Sequence, residues 1–238
     1  MSPAGSDAEA PAVSGRSLNH FGVWSLTDAY WALPDREQRQ VRGEWAQALS
    51  DTADAVHHYR TFPAEAGSDV LVWSAVRADD PGAAALFFDR HAAAVHGFRR
   101  LLRPVRMLWG FTRPSEYSSA RSRGEIDPFG PRALPWLVMY PFTKTSAWYQ
   151  LDAETRQSLM NEHIRIGKQF RGVTQLLLYS VGLQDQEFVV VYETPDLALF
   201  SQLVADLRRT AARPYTLSDS PLHTAQLRSA ADPDALWP

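Results

Sequence analysis

Apolar positions along this chain change period in a fixed order, and the order occurs twice. Residues 20–26 (HFGVWSL) alternate as a strand does, and 34–49 shift to helical spacing behind Pro34 and the acidic Asp35. Alternation returns at 55–61 and 69–78. A second helix is predicted over 81–102, with Pro81 at its first position, and a fourth strand over 105–112. This series, β-α-β-β-α-β, is the ferredoxin-like unit. The second half predicts the same series: strand 136–143, helix 153–170, strands 174–181 and 188–194, helix 196–210, and a short last strand at 215–219.

The repetition extends to single residues. YWALPDREQRQVRGEW at 30–45 lines up without a gap with WYQLDAETRQSLMNEH at 148–163, at a constant offset of 118. An aromatic pair, a Leu, a polar helix face and a Glu before the last position recur in both. The third strands also match, DVLVWSAVRADDPGAAALF beside EFVVVYETPDLALF. The expected fold is α+β: two tandem ferredoxin-like repeats, 18–112 and 135–228, packed face to face as a pseudo-twofold α+β barrel. Tails of 1–17 and 229–238 flank them, the first an Ala/Ser/Pro/Gly stretch expected to be disordered. The connection at 113–134 (RPSEYSSARSRGEIDPFGPRAL) is long for a compact domain, and such loops often serve as active-site lids.

Composition narrows the chemistry. A net charge of −3 leaves no electrostatic footprint for nucleic acid. The absence of cysteine excludes disulfides, thiolate zinc sites, iron–sulfur clusters and a cysteine nucleophile. No apolar run approaches the ~18 residues a membrane span needs, and the first 17 residues lack the charge and apolar core of a secretion signal. The cytoplasm is the expected compartment.

The duplication singles out one residue. His163 stands where the first repeat has the space-filling Trp45, so the second half has gained an imidazole. A lone helical His is more often structural than functional. Facing an open sheet, however, it can give one nitrogen to haem iron, which suits a single ligand better than zinc, with its three or four. His57 and His58 are adjacent on a strand and face opposite sides, His91 and His96 are five apart on a helix, and His20 and His223 look isolated. Tyr140 and Lys144 lie in YPFTK, where a cofactor edge would fall, and Gln175 opens the strand after the His163 helix. Arg213 and Ser220 flank the last strand, and an Arg there can pair with carboxylates. Each also has an ordinary reading as a strand aromatic or surface polar residue.

YPFTK, the pair Trp148–Tyr149 before a charged helix, the EH ending in His163 and LLLYSVGLQDQEFVVVYET together resemble the chlorite dismutase superfamily, from about residue 18 to 228. The chain looks most like its haem-synthesis branch, the coproheme decarboxylases. The resemblance implies a homopentamer with haem only in the C-terminal half. It implies His163 as the proximal iron ligand, Tyr140 as the tyrosine that becomes a radical, Lys144 as the lysine beside it, Gln175 as a distal glutamine, Trp148 beside the porphyrin, and Arg213 and Ser220 near the propionates. True dismutases carry a distal arginine in place of Gln175 and a proximal glutamate in the segment that reads Ala211–Ala212 here. Efficient chlorite decomposition is therefore not expected.

The leading expectation is peroxide-dependent oxidative decarboxylation of iron coproporphyrin III to haem b, with the porphyrin and hydrogen peroxide as partners. Two alternatives stay open: a haem-dependent peroxidase or oxygenase of a specialised pathway, and a haem-binding protein without turnover. The fold alone decides none of them.

Overall fold

Strand pairing closes the chain on itself. A computed structural model describes residues 15–114, 117 and 124–229. The first half runs β1 Ser17–Leu26, α1 Asp28–Trp31, α2 Asp35–Ser50, β2 Ala55–Arg60, β3 Val70–Arg77, α3 Ala83–His96 and β4 Leu102–Phe111. The second runs β5 Trp136–Lys144, α4 Ser146–Gln150, α5 Ala153–Gly167, β6 Thr174–Tyr179, β7 Phe188–Thr194, α6 Leu197–Leu207, a 3-10 turn Arg213–Tyr215, β8 Thr216–Ser218 and β9 His223–Arg228.

Each half forms an antiparallel sheet, β4-β1-β3-β2 and β9-β5-β7-β6, and the two sheets join edge to edge. One seam pairs β2 with β9 from His58↔Arg228 to Arg60↔Gln226; the other pairs β4 with β6 at Phe111↔Tyr179. Both halves therefore spend their free edges on each other, which removes the exposed strands that invite aggregation. The narrow seam needs a glycine: a Cβ on Gly110 would come within 2.8 Å of the Tyr179 carbonyl oxygen. Side chains extend it, since Ser180 Oγ donates to the Trp109 carbonyl at 2.6 Å. The Gln184 amide accepts from Trp109 N at 3.0 Å and donates to the Met107 carbonyl at 3.1 Å, as a strand residue would.

The barrel interior is packed solid with Phe21, Tyr59, Leu71, Trp73, Leu108, Leu137, Met139, Leu176, Leu178, Val189 and Val191. Glu193, raised above the usual carboxylate range by burial, meets Arg132 at 3.3 Å and accepts from the Tyr59 hydroxyl at 3.4 Å. Helices cover the outer face of each sheet.

The structure corrects several boundaries. The closing strand of the second repeat is β9, which pairs with both β5 and β2; the segment expected as the last strand is the three-residue β8. Helix α3 stops at His96, before Gly97, rather than running to 102. Tyr140 sits mid-strand, because β5 continues through Pro141. That proline falls where one edge of β5 has no partner, between the end of the β9 pairing at Met139 and the start of β8 at Thr143, so its missing N–H is tolerated. His20 is not isolated: its ring lies 4.7 Å from that of His91. His223 is buried, with Nδ1 3.1 Å from the Glu65 carboxylate.

His20 and His91 generate a pH dependence. Burial, then the neighbouring His91, holds His20 down to about 3, and burial holds His91 down to about 4. Both stay neutral in the folded chain while the unfolded chain takes up protons near pH ~6.5. Below that value the unfolded state binds more protons, so stability is complete above about 6.5 and is lost as pH falls toward 4. Urea unfolding from pH 7.5 to 4.5 should show this loss, and His91→Phe should make it shallower; an unchanged slope would assign the loss to other groups.

Candidate functional site

Alternation on β5 sends Val138, Tyr140 and Phe142 to the outer face and Leu137 and Met139 into the barrel. A register shift between Thr143 and Lys144 interrupts the strand as Lys144 is reached; such bulges re-aim side chains. Across the sheet, Gln175 on β6 opposes Tyr192 on β7, which opposes Val138; one rung along, Leu177, Val190 and Tyr140 line up. Gln175 therefore shares the outer face with Tyr140, and it is solvent-exposed. Its backbone is held from both sides, donating to the Gly124 carbonyl at 2.8 Å and accepting from Ile126 N at 2.9 Å. The Tyr140 ring stacks on Tyr192 at 6.1 Å. Burial, then Tyr192, raises the Tyr140 phenol well above its ordinary range, so it is protonated at neutral pH.

Helices α2 and α5 are the duplicated pair, and they pack differently. Helix α2 buries Arg42, Trp45, Ala46 and Leu49. Helix α5, capped by Asp152 accepting from Thr155 N at 2.7 Å, buries no residue at all. His163 is half-buried and has no hydrogen-bond partner among the described residues. Burial first and the Lys144 ammonium second hold it down to about 4, with Glu162 opposing. At neutral pH it is an uncharged imidazole with a lone pair to give.

Lys144 is itself held down to about 8, mainly by burial and further by Arg213, with Glu187 opposing. Its Nζ lies 4.2 Å from the centroid of the buried Trp148 ring, which also packs on Tyr215 at 5.7 Å and Tyr117 at 6.5 Å. Arg213 ion-pairs with Asp219 at 2.5 Å, and Arg208 reaches the same carboxylate at 3.4 Å. Ser220 is exposed and makes no hydrogen bond among the described residues. The Ala211 amide donates to the Glu162 carboxylate at 3.0 Å, so the neighbour of His163 ties α5 to the segment after α6.

Of the residues singled out by the sequence, Lys144 packs on Trp148 and couples electrostatically to His163 and Arg213, and Tyr140 and Gln175 share the outer face of the sheet. Arg213 borders Lys144 but is engaged by Asp219, and Ser220 stands apart. Sequence reasoning missed Tyr192 and Asp219. Alternation in VVVYET places Tyr192 on the face of Tyr140, and that signal was available. Among the described residues no group of three metal-ligating side chains forms. The arrangement offers one neutral imidazole, a stacked Tyr140–Tyr192 pair on the outer sheet face, and the coupled cations Lys144 and Arg213. It suits a flat apolar group that carries a metal and acidic substituents. Of lid candidate 113–134, residues 115, 116 and 118–123 lie outside the described residues; Tyr117 touches Trp148, while Ile126 packs into the barrel core and Arg132 pairs with Glu193, so 126–132 forms part of the barrel wall.

A closed barrel of two ferredoxin-like repeats, with a histidine on α5 where α2 carries Trp45, defines the class of protein. The chain belongs to the chlorite dismutase family, whose sequence profile matches residues 38–228. It is 27% identical over 191 residues to the coproheme decarboxylase of Mycolicibacterium smegmatis, covering 79% of this chain and 75% of that one. Its fold matches the crystal structure of TA0507, assigned to the chlorite dismutases, with a TM-score of 0.76 and 25% identity over 92% of this chain and 97% of the other. It also matches chlorite dismutase from Candidatus Nitrospira defluvii in complex with imidazole, with a TM-score of 0.76 and 19% identity over 91% and 93%.

The packing difference between α2 and α5 predicts opposite costs at equivalent positions. Trp45→Ala, in a fully buried site, should lose about 3–5 kcal/mol of stability, whereas His163→Ala should stay within about 0.5 kcal/mol of wild type in the protein without ligand. Urea unfolding measures both; a large loss at His163 would mean that its ring is structural.

Proposed function

We propose that the protein is a haem-dependent oxidoreductase, and that its reaction is the peroxide-driven decarboxylation of iron coproporphyrin III to haem b. The observation that carries this reading is His163, a neutral imidazole without a hydrogen-bond partner among the described residues, on a helix none of whose own residues is buried. Family membership and the decarboxylase relative support the same role. Bound there, the iron porphyrin would be both the centre at which peroxide is reduced and the molecule that is decarboxylated. Each propionate, with one hydrogen peroxide and one proton, gives a vinyl group, one carbon dioxide and two waters.

In this reading His163 ligates the iron, and Trp148 and the aromatic floor exclude water. Tyr140, protonated at rest, yields its electron and phenolic proton together and then takes a hydrogen atom from the propionate β-carbon. Lys144 holds the reacting carboxylate beside Tyr140. Gln175 offers an amide to the face opposite His163. Arg213 and Ser220 complete the propionate contacts, Arg213 by exchanging Asp219 for a carboxylate. A homopentamer and a cytoplasmic location belong to the same proposal.

The Arg213–Asp219 pair favours a second reading. An arginine already engaged by a carboxylate is a weaker propionate anchor, which suits a haem peroxidase or oxygenase acting on another small molecule, or a haem-binding protein without turnover. Tyr140→Phe separates these. It should bind coproheme with a wild-type Soret band yet form no haem b when stoichiometric peroxide is added, as read by chromatography and mass of the tetrapyrrole. Haem b formed at the wild-type rate would remove Tyr140 from the reaction; a wild type that leaves coproheme unreacted would favour the second reading.

Chlorite should be a poor substrate. The Gln175 amide lacks the fixed charge that would stabilise a developing oxyanion, and loss of one such donor costs about 10²–10³ in rate. Ala211 and Ala212 supply no carboxylate to His163. Oxygen release from chlorite, followed with an electrode, should fall at least that far below the rate of an efficient dismutase; a comparable rate would contradict the assignment.

A further inference from the structure

The β2–β9 seam carries a cluster that the porphyrin reading does not use. On one face of the sheet His58 stands opposite Arg228, and Arg60 opposite Gln226. Arg60 Nη2 and Arg228 Nη2 both donate to the single Gln226 Oε1, at 3.0 and 2.5 Å. Among the described residues neither guanidinium meets a carboxylate. The Nε atoms of both arginines, and both ring nitrogens of His58, are buried without a hydrogen-bond partner. His58 is 1% exposed. A cavity of about 390 Å³ opens here, lined among others by His57, His58, Arg132 and Arg228.

The other polar groups at the cavity are already engaged. Arg132 faces Glu193 at 3.3 Å, and His57 Nε2 meets the Pro128 carbonyl at 2.9 Å. Arg228 Nη1 and Nη2 reach the Leu227 carbonyl and Gln226, but its Nε and the His58 ring are left without a partner, and buried donors without acceptors carry a full desolvation penalty. Two guanidinium groups that share one neutral acceptor also repel, and Arg228 is held below its ordinary range by burial and by Arg60. The missing partner must be rich in acceptors, negatively charged and small enough for the cavity.

We propose that this seam binds a small oxyanion, a carboxylate or a phosphate, between Arg228, Arg60 and His58. An oxyanion presents acceptors only, an arginine fork meets it with parallel N–H groups, and a neutral His58 donates one more. The site lies where the two repeats join, so its occupation would brace the seam directly.

The test is a titration of the full-length protein with sodium phosphate and, separately, sodium acetate, at fixed ionic strength against sodium chloride. The His58 imidazole resonances and the thermal midpoint are followed together. A saturable response to either anion is expected, weakened at least tenfold in Arg228→Gln, while haem uptake through His163 is unchanged. Arg60→Gln, at a separate position, should weaken it as well and serves if the first variant does not fold. A stronger response to phosphate identifies a phosphoryl ligand, and a stronger one to acetate a carboxylate. An identical response to chloride, or an undiminished one in both variants, overturns the proposal. So does binding that appears only when Asp232 and Asp234 are replaced by Asn, because the chain's own carboxylates would then be the occupants. A response tied to protein concentration, with a change of mass in light scattering, would assign the acceptors to a second copy and overturn it equally.

Discussion

The second half of the molecule depends on a helix held by its ends and not by its face. Helix α5 is fixed at its start by the Asp152 cap and near its end by Glu162 accepting from the Ala211 amide, yet no residue along it is buried. Its counterpart α2 is pinned by Trp45 and Leu49, both with no exposed surface. Burying a large aromatic ring is worth several kcal/mol, and α5 forgoes that gain. The apolar face of β5–β7 beneath it is covered from the α6 side by Phe200 and Leu203.

The closed barrel makes this affordable. Its interior is filled by side chains from both repeats, so cohesion does not rest on either helical layer. The two seams use up all the free edges, and the polar trio Arg132, Glu193 and Tyr59 is satisfied within the wall. The two equivalent helices differ at one position: α2 carries the fully buried Trp45 and α5 the half-buried His163. Stability and ligand binding thus sit in different layers of the same repeat.

Much of this was legible in the sequence. The alternating and helical periods mark the first β-α-β-β-α-β series and all but the closing strand of the second, and the gapless offset pairs Trp45 with His163. The closing strand β9 was missed because HTAQLR has few apolar residues: it is anchored by pairing on both sides and by His223 against Glu65, a contact across 158 positions. The predicted strand 136–143 runs through Pro141 as β5 does, and the broken pairing on one edge of β5 is the physical reason the proline is accommodated. Arg213 was chosen as a free carboxylate anchor, but Asp219 lies six residues on and takes the role locally. Local ion pairs of this kind leave no periodic trace.

The charges around His163 form one coupled system. Lys144 is held down to about 8 by burial and by Arg213, and burial first and the Lys144 charge second keep the His163 imidazole neutral. Asp219 blunts Arg213 and, through it, the pressure on Lys144. A carboxylate arriving at this edge would meet two cations and could draw Arg213 away from Asp219, and its own charge would hold Lys144 protonated. A protonated Lys144 disfavours a proton on His163, so binding an acidic group at the edge reinforces the lone pair at the centre. Recognition of the acid and readiness of the imidazole then follow from the same ammonium group, which explains why a lysine with so little solvent around it is placed between them.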